Sequence, residues 1–167
     1  MKILNTHERR LDASVQKLGS FIDDLAGDND RLWPKDRWPP MRFDGPLAVG
    51  ARGGHGPIRY QVADYVPSKR IVFSFDPSKG LTRGFQGDHY FELEERDGQA
   101  LLRHVIKADC SPAAWIRWVL VVRPLHDALL EDALDQVAEA VGNPADPPAK
   151  WSRWVRLLRS VARRRKT

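Results

Sequence analysis

The chain has a single cysteine, Cys110, in 167 residues, so no internal disulfide can staple it and the small disulfide-built secreted scaffolds are excluded. Long apolar runs are missing as well. The longest candidate, Ala113 to Leu130, is interrupted by Arg117, Arg123, His126 and Asp127, which falls short of the roughly 20 apolar residues that a bilayer-crossing helix requires. Met1 to Leu11 carries Lys2, His7, Glu8, Arg9 and Arg10 where a secretory leader would place its apolar stretch. These shortages predict a cytoplasmic protein in reducing surroundings, at most peripheral to a membrane. Acidic residues are absent from one segment only: from Lys150 to Thr167 there are eight basic side chains and no acid, against 19 basic and 22 acidic groups before it. The formal charge of +5 is therefore the sum of a mildly acidic body and a strongly basic tail. With no nucleic-acid-binding module present, nucleic acid is not the expected partner.

Phosphate-binding signatures are lacking too. The glycine-rich GARGGHGP (residues 50–57) has no GK[ST] ending and does not match GxGxxG, so it reads as a tight turn between strands. No metal or cofactor is expected: the histidines are dispersed and no acidic partner accompanies them at ligand spacing. Cys110, at a strand end with no histidine close in sequence, reads as structural.

What is present has a clear order. Ile3 to Leu11 reads as a strand; Asp12 or Ser14 can cap a helix in which Val15, Leu18, Ile22 and Leu25 share a face, ended by Gly27. Residues 28–46 hold four prolines, with Trp33 and Trp38 each directly before one, and predict an ordered loop in which the tryptophans either pack or lid a cavity mouth. Candidate strands follow at Ala48–Gly53, Ile58–Val66, Arg70–Phe75, Asp88–Glu95 and Ala100–Asp109, separated by turns at Gly54–Pro57, Pro67–Lys69, Asp76–Gly87 and Arg96–Gln99. Short turns between successive strands imply an antiparallel meander with one face to be covered. The cover is a helix starting at Ser111-Pro112 and ending near Gly142 and Pro144, with Val122, His126, Leu129, Ala133, Val137 and Ala140 on one face and Asp127, Glu131 and Asp135 opposite. Pro124 should kink it. The predicted division is a domain over 1–142, a proline-rich linker over 143–149 and a basic tail over 150–167.

This order of elements, with RLDASVQKLGSFIDDL, VGARGGHGPIRYQV, SKRIVFSF and VVRPLHDALLEDALDQVAEAVG carrying the likeness, resembles the START-like (SRPBCC) superfamily of polyketide cyclase-like proteins, lipid-transfer domains and plant pollen allergens. The resemblance spans roughly residues 1–142 and leaves the tail without a counterpart. It implies an α+β helix-grip fold, a curved antiparallel sheet wrapped around a long C-terminal helix, with an apolar cavity between them. It implies no particular reaction.

Alternation turns His89 inward with Phe91 and Leu93, and His104 inward with Leu102 and Ile106. With His126 on the apolar face of the helix, three histidines converge, and Tyr60 can join them. The expected ligand wall is Tyr60, Phe73, Phe91, His89, His104, Val122, His126 and Leu129, and the expected ligand a hydrophobic small molecule or lipid. The alternative is an aromatase/cyclase-like enzyme that uses His89, His104 or His126 as acid or base. In the tail, Trp151, Trp154, Val155 and Leu158 recur at helical spacing with Arg153, Arg156 and Arg159 across from them, which suits an anionic membrane surface or a protein partner.

Overall fold

A computed structural model of the chain describes residues 1–164; Arg165, Lys166 and Thr167, the end of the basic tail, lie outside the described residues. Seven strands, β1 (Lys2–Leu11), β2 (Met41–Phe43), β3 (Arg52–His55), β4 (Ile58–Val66), β5 (Arg70–Phe75), β6 (Phe85–Arg96) and β7 (Gln99–Cys110), form one antiparallel sheet in the order β1-β7-β6-β5-β4-β3-β2. From β2 onward each strand pairs with the next. The β6–β7 turn uses Asp97 and Gly98, both at positive φ (54° and 77°), the backbone of a two-residue hairpin whose twist matches its strands. β1 departs from the meander and lies against β7 over its whole length, from Lys2 opposite Asp109 to Leu11 opposite Ala100.

Helix α1 (Val15–Asp23) starts at Ser14, whose hydroxyl accepts from the Lys17 N–H, and buries Leu18, Phe21 and Ile22. After β7 the chain enters α2 (Pro112–Arg117), with Ser111 capping it and proline in its first turn. One π-wound turn over Trp118–Val122 leads straight into α3 (Arg123–Ala140). The wider turn lies directly before Pro124, whose ring nitrogen has no hydrogen for the Leu120 carbonyl four residues back. That carbonyl accepts instead from Trp154 Nε1 at 2.8 Å, a residue of the tail. The protein is thus α+β, with a helix-grip arrangement of sheet and long helix.

Two apolar clusters lie between sheet and helix. One, containing Leu18, Ile22, Phe73, Phe91, Leu102, Leu130 and Leu134, sits under α1 and α3. The other, with Ile3, Phe85, Ile106, Ala114, Trp118 and Val122, sits under α2 and the π turn.

Three expectations need correction. The strand predicted at Ala48–Gly53 is shifted, so that β3 takes Gly53, Gly54 and His55 and the turn shrinks to Gly56-Pro57. The cause is crowding: a Cβ on Gly53 would lie 2.1 Å from the Arg42 carbonyl oxygen, and one on Gly54 1.9 Å from that of Ile58, so these glycines admit neighbouring backbones within the sheet. The Trp/Pro loop also contains a strand, β2, formed just past Pro39-Pro40 at the sheet edge. Finally, Asp127, Glu131 and Asp135 do not face away from the sheet. One residue turns a helix by only about 100°, so residues next to the apolar stripe flank it. Asp127 and Glu131 hold His7 at 3.0 and 2.8 Å, Arg9 bridges Glu131 and Asp135 at 3.0 and 2.8 Å, and the Asn5 amide donates to Asp127.

The tail folds back onto the body. In α4 (Arg153–Arg164) Val155 is buried, and just before it the Trp151 indole meets Trp38 edge-on at 5.5 Å. Both indole N–H groups donate to one oxygen of buried Asp132, at 2.9 and 2.6 Å, while Arg37 holds the other oxygen at 2.8 Å. The Arg159 guanidinium lies over both rings, 3.9 Å from Trp38 and 4.1 Å from Trp151, a cation–π arrangement.

Candidate functional site

Antiparallel register places residues from distant parts of the chain at one level of the inner face. His7 on β1 stands opposite His104 on β7, and His89 on β6 stands opposite Phe73 on β5. The next strands bring in Tyr60 and His55. Together with His126 from α3, all five histidines of the chain form one row crossing the interior. His7 and His126 meet at 5.8 Å between ring centres, and His126 and His104 at 5.0 Å. His104 Nε2 and His89 Nδ1 are 3.2 Å apart. The Tyr60 ring stands edge-on to His89 at 4.8 Å, and its hydroxyl hydrogen-bonds His55 Nδ1 at 3.0 Å. Trp33 closes the far end, 4.6 Å from His55.

The row is the seam between the two apolar clusters. His89 stacks on Phe73 of one and Phe75 of the other, His104 meets Phe91, and His126 faces Trp118. Burial disfavours the imidazolium form. It holds His89 and His104 well below their ordinary value, lowers His126, and pushes His55 down to about 3, the nearby charges of His126 and Arg59 adding to the effect at His55. His7 is the exception: burial opposes its charged form, yet the hydrogen bonds and charges of Asp127 and Glu131 outweigh this and raise it. At neutral pH the row is therefore uncharged from His126 to His55, with a charged cluster at the β1 end.

His89 Nε2 and His104 Nδ1 are buried without a hydrogen-bond partner, although almost all buried polar atoms in folded proteins have one. The other expected wall residues, Tyr60, Phe73, Phe91, Val122 and Leu129, are all buried in the clusters around the row. Two clefts open at the rim. One of about 580 Å³ lies along β2 to β5, with Arg42, Arg52, Arg59 and Lys79 around it and Tyr60 and Phe75 in its wall; the other, about 650 Å³, lies between the end of α1 and β2. The first shares Tyr60 and Phe75 with the contacts of His89.

Sequence reasoning foresaw the meeting of His89, His104, His126 and Tyr60 and missed His7 and His55. Alternation on β1 was the available signal for His7, since Ile3, Asn5, His7, Arg9 and Leu11 share one face. His55 lay in the predicted turn. The tail residues divide: Trp151, Leu158 and Arg159 lie partly covered by the body, Trp154 is half-exposed with its indole on the Leu120 carbonyl, and Arg153 and Arg156 are exposed. Among the described residues no helix is long and apolar enough to cross a membrane.

No family model matches the chain, and no curated protein does. Solved structures with the same fold do match. A protein from Nitrosospira multiformis is 19% identical over 84% of this chain and 96% of its own, with a TM-score of 0.57. CalU16 from Micromonospora echinospora is 18% identical over 99% of this chain and 92% of its own, at 0.54. DynU16, from the dynemicin biosynthetic locus, is 12% identical over 86% of this chain at 0.58, and this chain spans half of its length. At these identities the likeness is one of fold. The CalU16 match extends through the tail, which the sequence resemblance left without a counterpart.

Proposed function

We propose that this protein binds a hydrophobic small molecule bearing hydrogen-bonding groups, along the imidazole row between the sheet and the long helix. The observation that carries this reading is the pair of buried, unpartnered nitrogens, His89 Nε2 and His104 Nδ1, set among Phe73, Phe75 and Phe91. Apolar walls with a few fixed polar atoms are the usual makings of a small-molecule site, and a guest supplying partners to both nitrogens removes a desolvation cost that the free protein carries. The rim cleft at Tyr60 and Phe75 is its route in. The superfamily resemblance and the fold shared with a protein of a biosynthetic locus agree with such a guest.

The same chemistry weighs between carriage and catalysis. An imidazole held well below its ordinary pKa is a weak base at neutral pH and a good neutral hydrogen-bonding group, so the row suits holding a ligand better than the proton abstraction an aromatase/cyclase requires. Native mass spectrometry of the purified protein, before and after incubation with aromatic polyketides and acyl-chain probes, tests the reading. One bound molecule per chain is expected, with affinity falling about tenfold for each hydrogen bond lost in His89→Phe and His104→Phe variants whose circular dichroism is unchanged. Bare protein mass under every condition, or undiminished affinity in the double variant, would overturn it.

A second observation favours association with an anionic membrane surface. Trp154, Leu157 and Val161 on α4 and Ile116, Val119 and Leu120 on α2 and the π turn are all between 40 and 60% exposed, and the Trp154–Leu120 hydrogen bond sets the two groups side by side. With the basic tail around it, this patch has the makeup of an interfacial anchor. In co-sedimentation with vesicles, we expect phosphatidylglycerol-containing vesicles to retain the protein, plain phosphatidylcholine vesicles not to, and a Leu120→Glu/Leu157→Glu variant to lose at least about tenfold in binding. Equal retention of both forms would remove the patch from the reading.

A further inference from the structure

The charged end of the row holds a second arrangement, and its atoms are those of a metal site rather than of an ion pair alone. His7 Nδ1 lies 2.8 Å from Glu131 Oε1 and His7 Nε2 lies 3.0 Å from Asp127 Oδ1. A neutral imidazole has one N–H, so it can donate to only one of these carboxylates; the other contact then sets a lone pair against an anion unless a cation sits between them. An imidazolium would satisfy both carboxylates, but it leaves the neighbouring atoms unexplained. His126 Nδ1 is buried, has no hydrogen-bond partner, and stands 3.7 Å from the same Asp127 Oδ1, beyond hydrogen-bond length. The Asn5 carbonyl oxygen, whose amide nitrogen donates to Asp127, is also buried and unpartnered.

Metal ligation accounts for the His7, His126 and Asp127 atoms together. One ligand atom from each of His7, His126 and Asp127 lies within 4.8 Å of the others. Ligands bonded at roughly 2.0–2.2 Å in tetrahedral or octahedral geometry stand about 3.0–3.5 Å apart, and the two Asp127 contacts, at 3.0 and 3.7 Å, bracket that spacing. Glu131 then occupies the place of the outer carboxylate that fixes a metal-bound histidine's tautomer, accepting the His7 Nδ1 proton and leaving Nε2 free to coordinate. The surrounding charges suit a cation, for besides the two histidines the ion-pair partners of Asp127, Glu131 and Asp135 among the described residues are Arg9 and Arg123. The three ligands are partly open, at 12%, 14% and 34% exposure for His7, His126 and Asp127, which leaves room for a water molecule or substrate oxygen at a fourth position.

The geometry points to a binding site for one zinc-like first-row divalent cation, held by His7, His126 and Asp127 and supported by Glu131, at the β1–α3 edge of the imidazole row. Two imidazoles and a carboxylate are a donor set that such ions favour over calcium or magnesium. The site shares His126 with the row but does not rest on the proposed guest, whose unpartnered nitrogens are those of His89 and His104.

Equilibrium dialysis of the full chain against Zn²⁺, with elemental analysis, and titration with Co²⁺ followed by its visible absorption provide the test. We expect one equivalent of metal per chain and a cobalt spectrum of low-symmetry coordination. Affinity should fall at least about tenfold in His126→Gln and in the milder Glu131→Gln, which keeps a side chain of the same size beside His7. His89→Phe should leave it unchanged. Absence of stoichiometric metal in the wild-type chain, or wild-type affinity in a folded His126→Gln, overturns the proposal and leaves His7 as an imidazolium between two carboxylates.

Discussion

Lowering the pH from 7 to 5 should unfold this protein cooperatively. His55, His89, His104 and His126 are kept neutral by burial, with folded values below the ordinary 6.5, whereas in the unfolded chain each protonates near 6.5. Stability that is fully present above 6.5 is therefore lost as the pH falls below it, by about 1.4 kcal/mol per pH unit for each group until its folded value is reached. His7 works the other way, because its raised value makes the contribution of its pairing fullest below 6.5 and weaker as the pH rises. Below 6.5 His7 is protonated in both states and offsets nothing, so the four groups together amount to about 5.5 kcal/mol per pH unit just below 6.5, and a domain of ordinary stability, about 5–15 kcal/mol, is exhausted within a few units. Circular dichroism and tryptophan emission between pH 4 and 8 should show the loss. The His89→Phe/His104→Phe variant, which leaves His55 and His126, should cut the slope to about 3 kcal/mol per unit. Stability that stays flat from pH 7 to 5 would contradict the buried, neutral row.

Replacing Asp132 by alanine should be the most costly change at the tail. Its side chain is about 1% exposed and is the shared acceptor for the Trp38 and Trp151 indoles as well as the partner of Arg37. Removing it strands two indole donors, for which a loss of about 2–5 kcal/mol is expected at about 1–3 kcal/mol per stranded donor, while the half-exposed Arg37 can turn to water. Asp132→Asn keeps one acceptor oxygen in the place that serves both indoles, loses the charge facing Arg37, and should lose less, about 1–3 kcal/mol. Urea denaturation gives the energies, and hydrogen exchange should show α4 opening first in the alanine variant. A loss below about 1 kcal/mol for Asp132→Ala would mean that the tail is docked by apolar contact alone.

Asp132 also shows where sequence reading stops. Its periodic position places it beside the apolar stripe of α3, yet nothing in one dimension indicates that Trp38 and Trp151, one from the Trp/Pro loop and one from the tail, arrive at the same oxygen. The strands β4, β5 and β7 were legible nearly to the residue, while β6 starts at Phe85, three residues before its predicted Asp88, inside what read as a turn; the inward placement of Tyr60, His89 and His104 was legible with them. β3 was misplaced because its glycines answer to neighbouring backbones, a constraint that local propensity does not record. The candidate metal ligands were hidden for a related reason. His126 and Asp127 are adjacent in sequence, but His7 reaches them only through the pairing of β1 with β7.

That pairing also sets an order in time. Residues 2–11 form β1, and their partners at positions 100–109 are nearly a hundred residues further along the chain. Until those are in place, β1 has no strand to bind and its inward residues, Ile3 and Leu11 among them, have no cover. The sheet can grow by local hairpins from β2 to β7, each closing a short loop at little entropic cost, but β1 must wait for the most distant contact in the sheet. Docking of β1 should therefore be the late step that closes the sheet.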